Sequence, residues 1–469
     1  MVEILTIDVG HLVNDEDSEN FLSQSAFRSI DERYGSPFDE IRDALEKNDL
    51  PIARPFSDPS LPAVRETAAS LREKYRDFIL FGIGGSSLGF RAIEQTLKGP
   101  FHHRQALAHD EPRVLVLDNV DPVMAEQVGA FLDPRTTGLI YISKSGSTPE
   151  SAANFLHFLD RYAKAGGSQE DIVIICAPGD NGINRIAKRL GCHTFHMPPD
   201  LPGRYSVLSP VGFLPAELIG IDSRQLLAGA RATHQAILDT PAGQNPVLLL
   251  GSCLAELAAK GKSIHVLFSY GTSLAQFGLW FVQLWSESLG KKESTAGAIV
   301  NSGTTPLAAL GATDQHSLLQ LFKEGPNDKA YGFVTIDAFT ADVRIAGGFP
   351  SEKEYSYFAG HTMGEQLKIE QLATEMSLVR AGRPCYRIVL RDISAHTLGA
   401  LFYFMEVLVI FIARLWDVNP FDQPGVEEGK QMTYSLMGRQ DYASLRGFYE
   451  KELASFEAQR ILLSIRDRS

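Results

Sequence analysis

Three short segments of this 469-residue sequence gather side chains able to do chemistry. The first is Ser143-Lys144-Ser145-Gly146-Ser147-Thr148-Pro149-Glu150-Ser151. It follows the apolar run Leu139–Ile142. Beyond it Ala152, Phe155, Leu156, Leu159 and Ala163 recur at helical spacing, with Pro149 at the first helical position. Ser143, Ser145, Ser147 and Thr148 thus bring hydroxyls, with the Lys144 ammonium and backbone N–H groups, to a helix N-terminus. That collection suits a phosphate monoester. An ordinary serine or threonine cap is the competing reading, but a cap explains one hydroxyl and not four.

The second segment ends a helical pattern in which Leu274, Phe277, Phe281 and Leu284 mark one face. Gln283 and Glu287 lie four apart, so they share a face and can meet one ligand. Gly290 is the expected C-cap. Glu287 then falls in the last turn, near the negative end of the helix dipole. That placement, together with burial, is expected to make it hold a proton more tightly than a free carboxylate, as a base acting on a carbon acid requires. From spacing alone, a surface ion pair with Lys291 or Lys292 is an equal competitor.

The third is Gly82-Ile-Gly-Gly-Ser-Ser-Leu-Gly89. Gly85 permits close backbone approach, and Ser86 and Ser87 add hydroxyl donors, although a tight strand-to-helix turn would also use glycine. The dinucleotide fingerprint fails here, because Ser87 stands at the third glycine position and no acidic ribose ligand is apparent.

Two further residues carry weaker signals. His316, in Asp314-Gln-His-Ser317, precedes Leu318, Leu319 and Phe322, and so is expected in a helix's first turn. The dipole there favours the neutral imidazole, which can shuttle a proton; a lone histidine is also often just a polar residue. Lys430 closes the turn-rich run Asn419-Pro-Phe-Asp-Gln-Pro-Gly-Val-Glu-Glu-Gly-Lys430 and is expected early in a helix, as a donor or a solvated charge. Cys192-His-Thr-Phe-His196 looks like half a metal site. A strand would send His193 and His196 to opposite faces and no second ligand pair appears, so no metal is expected.

The elements that must position these groups alternate. Asp77–Ile83, Val114–Leu117, Leu139–Ser143 and Asp171–Cys176 read as buried strands separated by helices. A second series offers Ile264–Phe268, Ala298–Asn301, Gly332–Ile336 and Tyr386–Leu390. Alternation of this kind points to an α/β protein with parallel sheets covered on both faces. The expected division is an N-terminal segment (1–70), two α/β domains (71–240 and 241–430) and a C-terminal helical segment (431–469). Leu401–Trp416 is almost wholly apolar but shorter than a membrane span, and it carries Glu406. A buried helix is expected there, and no membrane.

Composition narrows the class. Forty-four basic residues against 57 acidic ones give a net charge of −13, which disfavours nucleic acid as a partner but leaves room for a small anion. The four scattered cysteines suit reduced thiols in the cytoplasm. The start, acidic by Asp15-Glu16-Asp17, has neither the basic nor the apolar part of a signal peptide.

Taken in order, Gly82–Gly89, the Ser143–Thr148 loop, Pro202-Gly-Arg-Tyr-Ser206, Ser286-Glu-Ser-Leu-Gly-Lys291, Gln315-His-Ser317 and Phe421–Lys430 resemble the phosphoglucose isomerase family, bacterial type. These motifs span about residues 81 to 430. The resemblance implies two tandem sugar-isomerase (SIS) domains, each a three-layer α/β/α sandwich with a mainly parallel, flavodoxin-like sheet. It also implies interconversion of glucose 6-phosphate and fructose 6-phosphate without a cofactor. By the same resemblance Ser143, Ser145 and Thr148, with Lys144 and Ser147 beside them, hold the phosphate, and Gly85, Ser86, Gln283 and Gln423 line the site. Glu287 moves the proton, Arg204 stabilises the enediolate, and Lys430 and His316 assist ring opening. His316 is expected to reach the site of a neighbouring subunit in a homodimer. Pro202, Gly146 and Leu289 depart from residues common in the family without removing a reacting group. The rivals are an aminosugar- or mannose-phosphate isomerase on the same domains, a non-catalytic sugar-phosphate sensor and, more remotely, a nicotinamide dehydrogenase.

Overall fold

Strict alternation of burial partners explains the first sheet. The computed structural model describes residues 3–15, 18–347 and 349–465; Met1, Val2 and, from the acidic run, Glu16 and Asp17 lie outside them. The N-terminal segment holds β1 (Leu5–Asp8) and a two-residue pair, β2 (Val13–Asn14) with β3 (Leu22–Ser23). The strands β4 (Asp77–Phe81), β5 (Arg113–Leu117), β6 (Thr137–Ile142), β7 (Val173–Cys176) and β8 (His193–His196) follow. They form one parallel sheet in the order β5-β4-β6-β7-β8. Phe78, Leu80, Ile140, Ile142, Val173 and Ile175 point to one core, whereas Ile79, Phe81, Leu139, Tyr141 and Ile174 point to another. Both faces are therefore dry, which is why these strands read as continuous apolar runs. Helix α1 (Leu88–Lys98) follows β4, and α2 (Pro149–Lys164) follows β6.

The second sheet repeats the plan. Its strands are β9 (Ile264–Tyr270), β12 (Thr305–Gly311), β13 (Lys329–Ala338) and β14 (Cys385–Asp392), parallel in the order β12-β9-β13-β14. β1 closes the far edge antiparallel to β14. Between β9 and β12 lie helix α3 (Ala275–Leu289) and the hairpin β10 (Lys291–Glu293) with β11 (Ile299–Ser302). The run Ala298–Asn301 is thus no member of the parallel sheet. The sheet strand is β12, whose Pro306 and small residues mask it in sequence; as an edge strand it tolerates the proline.

Helix α4 (Ala395–Leu415) is longer than the apolar run suggested: at 21 residues it matches a membrane span in length. Its burial decides its role, since 89% of its most apolar window lies inside the protein, and it packs on the helices Ser223–Asp239 and Pro246–Ala259. Burial of each Leu or Phe on it contributes about 1.5–3 kcal/mol. The chain divides into two compact units, Met1–Phe421 and Asp422–Ser469. The second contains helix α5 (Glu427–Leu436) and the helix Arg446–Ala458.

Candidate active site

The loop after β4 is shaped by a backbone crossing. A Cβ on Gly85 would fall 2.1 Å from the carbonyl carbon of Gly203 and 2.5 Å from the Arg204 nitrogen, so only glycine fits. This contact docks the Gly84–Ser86 turn on the turn Gly203–Tyr205, which carries Arg204. Ser206 braces the crossing, its Oγ donating to the Gly203 carbonyl at 2.7 Å.

Arg204 is 1% exposed, and burial of a guanidinium is tolerable only with full pairing. Its Nε donates to Ser288 Oγ at 2.8 Å, its Nη1 to Glu287 Oε2 at 3.2 Å, and its Nη2 to the Pro420 carbonyl. The Tyr205 hydroxyl also donates to Ser288 Oγ, at 2.9 Å. Ser288 is therefore the hub that orients Arg204. Sequence reading passed over it, although it lies inside the Ser286–Lys291 motif.

Helix α3 presents Glu287 in its last turn, as its spacing predicts. Leu274, Phe277, Phe281 and Leu284 are fully buried and fix the rotation of the helix. Gln283 Nε2 donates to Glu287 Oε1 at 2.9 Å, so each carboxylate oxygen has its own donor. Gln283 Oε1 is buried with no hydrogen-bond partner among the described residues. Gly290 ends the helix, its N–H donating to the Ser286 carbonyl, but with φ −76 rather than left-handed geometry. The expected burial of Glu287 is not found: its side chain keeps 31% of its surface exposed. Nor does Lys291 pair with the carboxylate; its Nζ caps the Glu287 carbonyl at 2.6 Å.

The loop after β6 lies beside the loop after β4, because the two strands are neighbours. Ser143 N–H donates to the Ile175 carbonyl, and the Lys144 carbonyl accepts from Ala177 N–H, tying the loop to β7. Gly146 takes φ +70, and its N–H donates to Ser143 Oγ at 3.1 Å. Thr148 is the N-cap of α2, yet its side chain makes no capping bond; its Oγ1 pairs with Ser143 Oγ at 2.8 Å. The ordinary-cap reading therefore fails for Thr148. Ser147 N–H donates to Ser145 Oγ at 3.3 Å. Burial pulls the Lys144 ammonium below the usual lysine value; the Asp200 carboxylate opposes that shift and Arg204 adds to it. Pro149 sits at N1 as expected, but the face buried by α2 is Phe155, Phe158 and Tyr162, with Leu156 turned outward.

Gly85, Ser86, Arg204, Gln283 and Glu287 thus converge at the carboxyl end of the first sheet, beside the Ser143–Thr148 loop. His316 does not join them. It ends the turn Thr313–His316, ahead of the helix Leu319–Glu324 rather than in its first turn, and is exposed. Among the described residues, no hydrogen bond or ion pair links it to Glu287, Arg204 or Gln283. Its neighbour Gln315 is anchored, donating to the Tyr270 hydroxyl at 2.7 Å. Gln423 and Lys430 belong to the C-terminal unit, where Lys430 stands in the first half of α5 and donates to Glu427 at 2.8 Å. At the other candidate, β8 is a strand as expected, with His193 and His196 three residues apart along it.

The model of the family described as phosphoglucose isomerase matches residues 67–450. The chain is 34% identical over 450 residues to a glucose-6-phosphate isomerase of Carboxydothermus hydrogenoformans, covering 94% of this chain and 96% of that one. It is 39% identical over 397 residues to the glucose-6-phosphate isomerase of Rubrobacter xylanophilus, covering 81% and 89%. Among solved structures, a hypothetical protein of Thermus thermophilus superposes with TM-score 0.79 at 32% identity, over 92% of this chain and 100% of that one. A glucose-6-phosphate isomerase of Chlamydia trachomatis shares the fold at TM-score 0.74 and 22% identity, over 93% and 89%. The fold is thus the expected α/β one, and the chain belongs to the phosphoglucose isomerase family.

Proposed function

We infer that the chain interconverts glucose 6-phosphate and fructose 6-phosphate, a step of glycolysis that runs in reverse in gluconeogenesis. The observation that carries this reading is the Glu287 carboxylate, held between Arg204 and Gln283 and open to solvent, beside a hydroxyl-rich loop at a helix N-terminus. The loop hydroxyls of Ser143, Ser145, Ser147 and Thr148, with Lys144, hold the phosphate. Glu287 removes the C2 proton and returns it at C1, while a proton passes between the two oxygens; sugar carbon is oxidised at one position and reduced at the next, so no external oxidant is needed. Arg204 is preorganised by Ser288 and Pro420 to meet the enediolate charge. Gln283 Oε1 is an acceptor for a sugar hydroxyl, Gly85 and Ser86 form the floor, and Gln423 lines the site.

The decisive experiment converts fructose 6-phosphate in deuterated water with wild type and Glu287→Gln. Wild type should isomerise with solvent deuterium entering at carbon, and the variant should not. No isomerisation by wild type, or full activity in the variant, would sink the reading.

Lys430 and His316 open the ring, with His316 supplied by the neighbouring subunit of a cytoplasmic homodimer. The exposure of His316, and the lack of any bond from it to Glu287, Arg204 or Gln283 among the described residues, support that arrangement. Mixing Glu287→Gln with His316→Ala subunits tests it. Hybrid dimers regain activity if the histidine acts across the interface and stay inactive if it acts within its own chain.

A further inference from the structure

Away from the Glu287 cluster, three ligand-type side chains meet where α1 ends. Glu94 is on α1, and His102 and His103 open the helix His102–Ala108 that follows it. Glu94 Oε1 lies 2.9 Å from His102 Nδ1 and 3.0 Å from His103 Nε2, and all three ligand atoms fall within 4.8 Å of one another. We propose that Glu94, His102 and His103 bind one divalent transition-metal ion, at a site separate from the isomerase reaction.

Geometry supports this. Donors about 2.0–2.2 Å from a shared ion subtend about 90° when they are 2.9–3.0 Å apart, so the two pairs that share Glu94 Oε1 suit five- or six-coordination directly. Tetrahedral zinc requires the pairs to open by about 0.4 Å. Two imidazoles and one carboxylate favour zinc, cobalt or nickel over magnesium and calcium. The two rings are held differently. His103 turns its Nε2 toward Glu94, with the Val114 backbone beside the ring. His102 is 5% exposed and its Nε2 has no partner among the described residues, so packing and the Nδ1–Glu94 bond hold that ring. Two nearby arginines are paired with carboxylates: Arg91 with Asp118 at 2.9 Å and Arg113 with Asp77 at 2.5 Å.

The remaining coordination positions face a cavity of about 300 Å³ lined by Gln95, Phe101, Arg104 and Gln276, wide enough for water or a small anion. Gln95 and Thr96 tie the same stretch of α1 to the carbonyls of Thr272 and Ser273, just ahead of α3. An ion here clamps α1 to the following helix, and its effect is on stability.

The test uses the untagged full chain stripped with EDTA. Cobalt titration followed by visible absorption should saturate at one equivalent, zinc should raise Tm, and magnesium should do neither. Glu94→Gln and His103→Asn should each weaken cobalt binding about a hundredfold or more. His103 is 44% exposed, so its substitution leaves the core intact if Glu94→Gln fails to fold. Fructose 6-phosphate turnover should survive EDTA treatment, which keeps this outcome distinct from that of the isomerase reading. No saturable cobalt binding, leaving only a histidine–carboxylate ion-pair cluster, would overturn the proposal. So would wild-type affinity in the variants.

Discussion

The first sheet, β5-β4-β6-β7-β8, and the second, β12-β9-β13-β14-β1, run through the same strand order and part only at the fifth place. There the first uses its own parallel β8, while the second borrows the antiparallel β1 from the N-terminus. They differ more in which end of a helix reaches the ligand. The first sheet offers loops and the N-terminal end of α2, rich in N–H groups and hydroxyls, where an anion is welcome. The second offers the far end of α3, fifteen residues long, where Glu287 stands among buried partners. One strand plan thus serves two tasks: backbone ends bind, and a side chain in a helix's last turn does the chemistry.

If that division is right, damage to the second region should fall on kcat. Glu287→Gln keeps the size of the side chain and removes the base; kcat should drop about 10³-fold, with the carbon-bound proton no longer exchanging with solvent. A variant within tenfold of wild type would break the comparison at its strongest point. Arg204→Lys, in the turn after β8 that reaches across to Glu287, should cost about 300-fold in kcat, because one ammonium cannot reproduce bonds to Ser288, Glu287 and Pro420 together. Ser288→Ala, tested beside it, should give a smaller loss in the same parameter.

Legibility in the sequence followed the same line. The first sheet was readable because buried parallel strands such as Phe78–Phe81 and Leu139–Ile142 are continuous apolar runs. The rotation of α3 was readable from Leu274, Phe277, Phe281 and Leu284. The second sheet was harder: β12 hides behind Pro306 and Ala308–Ala309, and β1 lies some 380 residues from its partner β14, a pairing no local pattern reveals. The face of α2 was misjudged because alanines and leucines at helical spacing outweighed Phe158 and Tyr162. At the site, reacting side chains were legible by type, but Ser288 and the Gly85–Gly203 crossing were not. Both depend on the turn 203–205 meeting distant parts of the chain, α3 at Ser288 and the turn 84–86 at Gly85.

A second glutamate sharpens the contrast between working and silent carboxylates. Glu406 lies in the middle of α4, fully buried, and burial raises its pKa well above the ordinary carboxylate value. The folded protein therefore keeps the proton at pH values where the unfolded chain has lost it. Stability is fully retained below about pH 4.5 and falls as pH rises, by about 1.4 kcal/mol per unit, until the folded group ionises. Glu406→Gln mimics the protonated acid. Its urea-unfolding stability should match wild type near pH 4.5 and exceed it by up to about 2.7 kcal/mol near pH 6.5. Parallel pH profiles for the two proteins would show that Glu406 finds a charge partner. By contrast, kcat should stay near wild type.

The smallest expected effect is the most discriminating for the division of labour. Thr148→Ala removes the hydroxyl that pairs with Ser143 Oγ and leaves Pro149 at N1, so α2 should still form. If the loop only binds, its loss acts equally on ground state and transition state, because the phosphate does not change during proton transfer. KM for fructose 6-phosphate should then rise about tenfold while kcat stays within about twofold. A fall in kcat with KM unchanged would mean that phosphate binding is used to drive the chemical step. The first sheet would then share the work assigned to the second.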